Sequence, residues 1–216
     1  MTLTLYGTKG SGSAAVEAAL DVAGLAYHSV DAASWQSSAG LDALKKVNPL
    51  AQIPTLVLDD GSVLTESAAI LLHLGLEHPR SGLVSAGPSR RAQQIRGLIY
   101  IAANCYAAIG ILDYPDRWYP GPDEAVKAAM QTRGKARLAE LWELFADQFA
   151  ATPWLSGERL GALDILAATV SMWSGARKAL AESRPEFTRL LGRIELDSRV
   201  AAVWARHWPD RPKAQV

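Results

Sequence analysis

The residues with the clearest capacity for chemistry are Glu66 and Ser67, which follow a short predicted hairpin and open a predicted helix. The first turn of a helix has free backbone N–H groups and the positive end of the helix dipole, so it can bind a carboxylate. The Ser67 hydroxyl can add one more hydrogen bond to the same anion. This pair therefore predicts an anion-binding corner, although the same residue types can also serve only to begin a helix.

The elements that must position this corner lie in residues 1–79. An Asp60-Gly61 pair between apolar runs predicts a hairpin over residues 55–65, followed directly by a helix. The preceding pattern predicts a strand, a glycine-rich turn, a helix and a strand over residues 3–6, 7–12, 13–23 and 26–30, and then an irregular connection followed by a short helix within residues 35–47. The order β-α-β-α-β-β-α indicates a small mixed sheet with helices on both faces.

The pattern changes after Pro79. Residues 80–88 are rich in Gly, Ser and Pro and predict a linker, and only helical periodicity is found beyond them. We expect helices over residues 89–112, 122–150, 162–181, 185–192 and 197–207. The chain is thus predicted to have an α/β domain over residues 1–79 and an all-helical domain over residues 89–216.

Composition excludes several classes of function. The 22 basic and 22 acidic residues give a net charge of zero, which disfavours a nucleic acid partner. The single Cys105 has no internal disulfide partner, and the four histidines lack zinc-ligand spacing. We expect a cytoplasmic protein without a membrane partner, since no leader and no apolar run of about 20 residues is found. The Gly7–Gly12 turn fits neither the Rossmann nor the P-loop signature.

Taken together, the strand-loop-helix opening, Asn48-Pro49, Ile53-Pro54, the hairpin and the Glu66-Ser67 helix start resemble the glutathione transferase superfamily. The resemblance covers nearly the whole chain and includes the segments Trp154–Gly157 and Ala162–Asp164. It implies an α/β thioredoxin-like N-terminal domain, an all-α C-terminal domain, glutathione as co-substrate and no metal.

The resemblance assigns the corner of the first domain to glutathione. It implies a cis Ile53-Pro54 bond, in which the Ile53 N–H and C=O can pair with the extended peptide as a strand would. Ser67 then suits the γ-glutamyl carboxylate, and Glu66 suits the ammonium of the same group.

Gln52 is expected to reach the glycyl carboxylate, because related sequences often have a residue with this role directly before the Ile-Pro pair. Lys45 and Lys46 are the cationic alternative. We rank them lower, since adjacent lysines on a short helix more often form a solvated face.

Activation of the glutathione thiol is expected to depend on a hydroxyl in residues 8–13. An unperturbed thiol has a pKa of about 8.5, so an activator must stabilise the thiolate. This loop has no cysteine, and alignment puts Gly12 near the cysteine of the bacterial cysteine-type class. We expect Ser11 to be the activator, with Ser13 as the alternative. Lesser candidates are Thr8 and Tyr6.

The resemblance also implies an electrophile pocket on the first long helix of the second domain. Tyr106 is the first choice for its wall, with Asn104 on the same helix and Trp118 beyond it. Aromatic residues alone more often serve packing. Further candidates are Tyr100, Tyr114, Tyr119 and Trp173.

Asp164 is expected to be structural. The family pattern has a Ser or Thr three residues earlier that forms a reciprocal helix cap with the Asp. Here that position is Gly161, so we predict a cap weaker by about a few tenths of a kcal/mol.

The resemblance implies a homodimeric glutathione transferase that joins the thiolate to a small hydrophobic electrophile. Two alternatives remain open. One is a non-catalytic binding or scaffolding protein with the same fold, and the other is a glutathione-dependent reductase or isomerase.

Overall fold

The computed structural model describes residues 2–151 and 153–210, so residues 211–216 of the predicted second domain lie outside the described part. It has a small α/β domain followed by an all-helical domain, as expected. The elements of the first domain are β1 (Leu3–Gly7), α1 (Ser13–Ala23), β2 (Tyr27–Asp31), α2 (Ala39–Val47), β3 (Thr55–Val57), β4 (Val63–Thr65) and α3 (Ser67–Glu77).

The four strands form one sheet in the order β2-β1-β3-β4. β1 runs parallel to β2 and antiparallel to β3. The predicted hairpin is confirmed, because β3 and β4 pair antiparallel with Thr55 opposite Thr65. Gly61 has φ 86° at the turn, a conformation that favours glycine.

α1 connects the two domains through packing. The helix contacts both α3 and α7, and its fully buried small residues are Ala14, Ala15, Val16, Ala18 and Ala19. Alanine side chains allow such close approach on two sides. Both domains therefore fix the position of α1, and with it the loop that precedes this helix.

The helical domain contains α4 (Pro88–Tyr100), α5 (Tyr106–Asp113), α6 (Glu124–Gln148), α7 (Ala162–Val170), α8 (Ala176–Ser183), α9 (Pro185–Leu196) and α10 (Ala201–His207). The single helix predicted over residues 162–181 is wrong. The chain breaks it because Ser174 and Gly175 have φ 57° and 79°. The last predicted helix begins at Ala201 rather than at residue 197, because Asp197 accepts from the Arg199 N–H in a turn.

The long helix predicted over residues 89–112 is present, but it contains a π-helical turn at Ile101–Cys105 between α4 and α5. Such a turn adds one residue and rotates the remainder of the helix by about 100°. Tyr106 is the first residue after it. The π turn therefore decides which way this tyrosine faces.

Residues 88–113 are long and apolar enough to cross a membrane by length and composition, and their most apolar 18-residue window has a mean hydropathy of 1.6. In the structure this segment packs along α6 and α7. About a third of that apolar window (33%) is buried inside the protein.

Asp164 is buried and accepts three hydrogen bonds from the backbone N–H groups of Leu155, Ser156 and Gly161, at 2.8, 3.0 and 3.0 Å. Burial raises the pKa of this carboxyl, and these hydrogen bonds oppose the rise. The expected structural role is confirmed. The carboxylate joins the start of α7 to the preceding loop.

Close packing explains why residue 161 is a glycine. A Cβ there would lie 2.6 Å from the Leu83 carbonyl oxygen and 2.8 Å from the Ser156 Cβ. The expectation that Ser would make a better cap therefore omits a steric cost, since the nearest atom belongs to the backbone.

We expect Gly161→Ser to lower the free energy of unfolding by about 1–3 kcal/mol, because overpacking outweighs the gain of a cap. The measurement is the midpoint of urea denaturation at unchanged slope. Gly87→Ser is the matched control, since Gly87 also precedes a helix without a side-chain cap and has room for a Cβ. Greater stability of Gly161→Ser than of the wild type would contradict the steric argument.

Candidate functional site

A cavity of about 770 Å³ opens between the two domains. One wall is formed by the loop before α1, the segment around Pro54 and the start of α3, and the other by α5 and Trp173. Of the residues expected at a site, the cavity is lined by Ser11, Gln52, Ile53, Pro54, Glu66, Ser67 and Tyr106.

The Ile53-Pro54 peptide bond is cis, as the resemblance implied. Buried Asn48 and Thr55 hold the segment from behind: both side chains donate to the Gln52 carbonyl, at 3.1 and 2.8 Å. Within residues 2–151 and 153–210, no protein group hydrogen bonds with the Ile53 N–H or C=O. The backbone of Ile53 is thus free to pair with a ligand.

The start of α3 has the features of an anion site. Glu66 precedes the helix with φ 64°, a left-handed conformation that costs a non-glycine residue about 1–3 kcal/mol and is frequent at functional sites. The helix has no side-chain cap at this end, and Ser67 is buried at its first position. The first N–H groups of α3 are therefore available to the cavity.

Ser11 and Ser13 form one hydrogen-bonded unit. Their hydroxyl oxygens are 2.9 Å apart, and the Thr8 N–H donates to Ser13 Oγ at 3.2 Å. The Thr8 carbonyl accepts from Ser11 Oγ at 2.8 Å and from Ser13 Oγ at 3.1 Å. Ser11 lines the cavity, whereas Ser13 is fully buried behind it.

The loop that carries Ser11 is tied to the end of the second domain through Gly10. The Gly10 N–H donates to His207 Nδ1 at 3.1 Å, and Trp173 Nε1 donates to the Gly10 carbonyl at 3.1 Å. His207 Nε2 lies 2.9 Å from Glu17 Oε1. Because a backbone N–H only donates, Nδ1 is the acceptor and Nε2 carries the ring proton toward Glu17.

Glu17 is held in its charged form by this arrangement. Burial raises the pKa of its carboxyl, but hydrogen bonds from His207 and Arg206, together with the Arg206 charge, outweigh burial and lower the pKa below its ordinary value. Arg206 also approaches Asp21 at 3.3 Å. No local pattern in the sequence indicates this network, because His207 and Gly10 are 197 residues apart.

The opposite wall follows one face of the long helix. Its lining residues beside Tyr106 are Ala102, Ile109, Gly110 and Asp113. Their spacing of three to four residues is helical, so the sequence contained this signal.

The structure does not bring Asn104 or Trp118 to the cavity. The Asn104 side chain donates to the Tyr100 carbonyl at 3.1 Å, and Trp118 is 61% exposed outside the lining. Tyr114 and Arg117 line that end instead, with the guanidinium 4.1 Å from the ring centroid. Trp35 and Lys45 of the first domain also line the cavity. No pattern in the sequence had indicated Trp35 as a site residue.

The Tyr106 hydroxyl is buried and has no hydrogen-bond partner among the described residues. Burial raises the pKa of this phenol to about 12; the nearby Ser67 side chain opposes the rise and the Glu66 charge adds to it. Its ring packs against Trp173, with centroids 5.9 Å apart.

A second concavity of about 680 Å³ lies between α6 and α9. Its arginines are already engaged: Arg184 pairs with Asp147 at 2.7 Å, Arg189 pairs with Glu186, and Arg193 bonds the Pro153 carbonyl. The described residues contain no cluster of three metal-ligating side chains. The interdomain cavity is therefore the stronger candidate.

A thioredoxin-like domain with a cis-proline corner, facing an all-helical domain across a cleft, is the architecture of a glutathione transferase. The family model of the glutathione S-transferase N-terminal domain matches residues 1–75. The chain is 32% identical over 172 residues to the uncharacterised GST-like protein YncG of Escherichia coli K12, covering 79% of this chain and 82% of that protein. This chain belongs to the glutathione transferase superfamily.

Two further comparisons agree. The chain is 30% identical over 149 residues to the glutathione S-transferase GstA of Escherichia coli O157:H7, covering 68% of this chain and 70% of the relative. A glutathione transferase homolog from Sulfitobacter, solved with bound glutathione, superposes with a TM-score of 0.80 at 27% identity, covering 94% and 96% of the two chains.

Proposed function

We propose that this protein binds glutathione in the interdomain cavity and conjugates its thiolate to a small hydrophobic electrophile. The observation that carries the proposal is the corner in which the open backbone of Ile53 stands beside the uncapped start of α3. One part suits an extended peptide and the other a carboxylate, so together they match a tripeptide with a free α-carboxylate.

In this proposal Ser67 and the first N–H groups of α3 hold the γ-glutamyl carboxylate, and Glu66 accepts from the ammonium. Gln52 or Lys45 reaches the glycyl carboxylate, since both line the cavity. The two ends of the tripeptide would then fix its thiol in the space before α1.

Ser11 is the proposed activator, and the paired hydroxyls support a donor chain. Ser11 and Ser13 both lie within donating distance of the Thr8 carbonyl, at 2.8 and 3.1 Å, so Ser13 can keep that carbonyl bonded when Ser11 turns its single proton to the thiolate. The Thr8 N–H supports Ser13 from behind at 3.2 Å. Activation then consists of positioning and a lowered thiol pKa, without a covalent enzyme intermediate.

The electrophile is proposed to lie against Tyr106, Ile109 and Trp173, which give the second wall its apolar character. We further propose a cytoplasmic homodimer. Leu76 of α3 and Ile99 of α4 are 49% and 53% exposed, which leaves apolar area for a second copy of the chain. Light scattering after size exclusion measures this state directly.

The function is tested by calorimetry with glutathione and by conjugation of a generic aromatic halide. Saturable glutathione binding together with conjugate formation is the expected result. Binding without turnover would favour the scaffolding alternative, and turnover of disulfides or isomerisable substrates instead would favour a reductase or isomerase. No binding and no turnover at millimolar glutathione would refute the proposal.

We expect Ser67→Ala to weaken glutathione binding by about 10-fold to 100-fold, because a charge-assisted hydrogen bond contributes about 1.5–3 kcal/mol. The dissociation constant is measured by calorimetry. Ser29→Ala is the matched control, since Ser29 is exposed on β2. Equal dissociation constants for Ser67→Ala and the wild type would remove Ser67 from the site.

A further inference from the structure

The Tyr106 hydroxyl lies in a buried space between the two domains. It is buried without a partner among the described residues, and a buried donor without an acceptor is costly. The ring is fixed by Trp173, whose own N–H is donated to Gly10. The hydroxyl therefore has a defined position relative to the Ser11 loop and lacks an acceptor there.

Gly12 shows where this hydroxyl is aimed. Its φ and ψ of −60° and −15° are helical and open to any residue, so backbone conformation does not require glycine. Space does, because a Cβ at this position would lie 2.7 Å from the Tyr106 hydroxyl oxygen and 3.4 Å from Pro54 Cδ. The Tyr106 side chain reaches in from the helical domain. Its hydroxyl fills the space that a side chain at position 12 would need.

This place suits an acceptor with negative charge. It lies at the N-terminus of α1, where the helix dipole favours an anion, and beside the cis-proline corner. Ser11 borders it from the first domain. A sulfur atom held in this space would have a hydroxyl on each side.

We propose that Tyr106 is a catalytic residue that donates a hydrogen bond to the glutathione sulfur and stabilises the thiolate together with Ser11. The inference rests on the proposed function. The thiol gives its proton to solvent, the phenol keeps its own proton, and the thiolate accepts the O–H. No bond to the protein forms.

The electrostatics of the site agree with a donor role. Burial raises the pKa of the phenol to about 12, so it stays protonated where the thiolate forms. The groups that face the hydroxyl are the Ser67 side chain and the Glu66 carboxylate. The negative Glu66 opposes a second anion nearby, and a positioned donor offsets that repulsion.

The decisive variant is Tyr106→Phe, which keeps the ring and removes only the hydroxyl. We expect the pKa of the bound glutathione thiol to rise by about one unit, which leaves roughly tenfold less thiolate below that pKa. The pKa is measured from the ultraviolet absorbance of the thiolate as pH is varied. We expect kcat at neutral pH to fall about tenfold, with the glutathione dissociation constant changed less than about threefold.

Folding is not at risk in this variant, because it removes a hydroxyl without a partner. The midpoint of denaturation should stay equal or rise. Tyr119→Phe is the matched control, since Tyr119 lies outside the cavity lining. It should leave the thiol pKa unchanged.

A second variant tests the geometry. Gly12→Ala should push the hydroxyl away from the α1 terminus and raise the thiol pKa in the same direction. In the Tyr106→Phe background the added methyl should raise it little further, because the displaced group is already gone. Equal and additive pKa shifts in the two backgrounds would contradict the proposed contact.

The outcomes separate the two proposals. If the wild type conjugates glutathione and Tyr106→Phe leaves the thiol pKa unchanged, the inference is overturned even when kcat falls, since the hydroxyl then acts on the electrophile. If the wild type neither binds glutathione nor conjugates it, the proposed function fails and the inference falls with it.

Discussion

Asp164→Ala should lower the free energy of unfolding by about 3–5 kcal/mol. The substitution leaves three backbone N–H groups, now bonded at 2.8 to 3.0 Å, without their acceptor in the buried interior. Chemical denaturation measures the loss as a shift of the midpoint.

Asp164→Asn gives an intermediate case. Its amide oxygen can still accept some of the three backbone hydrogen bonds, whereas its NH₂ group would face backbone donors. We therefore expect a smaller loss in the free energy of unfolding than for alanine. Asp59→Ala is the control, because Asp59 is exposed in the hairpin turn and should change stability by no more than about 0.5 kcal/mol. A loss below about 1 kcal/mol for Asp164→Ala would refute the structural role.

His207→Ala is expected to act on stability and on the site together. It removes the acceptor of the Gly10 N–H and the buried partner of Glu17, which we expect to cost about 2–3 kcal/mol. It also frees the loop that carries Ser11. We therefore expect weaker glutathione binding or slower conjugation at a temperature where the variant is fully folded.

Two conservative variants separate the roles of the ring nitrogens. Asparagine puts an acceptor near the position of Nδ1, and glutamine puts its amide near the position of Nε2. His207→Asn should preserve glutathione binding better than His207→Gln if the contact with Gly10 matters to the site. The control is His28→Ala, since His28 is exposed on β2.

The pH dependence has a defined sign. Glu17 has a lowered pKa in the folded protein, so its contribution to stability is present above about pH 4.3, the ordinary value for Glu, and is lost as pH falls through the lowered pKa. The stability difference between the wild type and His207→Ala should therefore shrink in acid. A difference that grows below about pH 4 would contradict the Glu17 contact.

Local patterns explain the features that the sequence predicted well. The Asp60-Gly61 turn, the alternating strands and the glycine after α1 act over a few residues, and the structure has the expected hairpin and helix end. The cis Ile53-Pro54 bond came instead from the family resemblance, because no local pattern distinguishes a cis from a trans proline bond.

Features that depend on distant or geometric detail were not predictable. The break after α7 needs two consecutive left-handed residues, Ser174 and Gly175, and a serine provides no such signal. The π turn before Tyr106 adds a residue without any special residue type. Gly161 suggested a missing cap, whereas the packing of Leu83 makes glycine a requirement there.

The bond between Gly10 and His207 also has a consequence for the order in which the protein is made. As the chain leaves the ribosome, the first domain can form its sheet long before α10 exists, yet the loop beside α1 gains its His207 acceptor only when residue 207 has emerged. A fragment that ends near residue 79 should therefore form its sheet and still lack the bond that fixes the loop before α1. The loop beside α1 is therefore completed late, although most residues of the interdomain cavity are synthesised early.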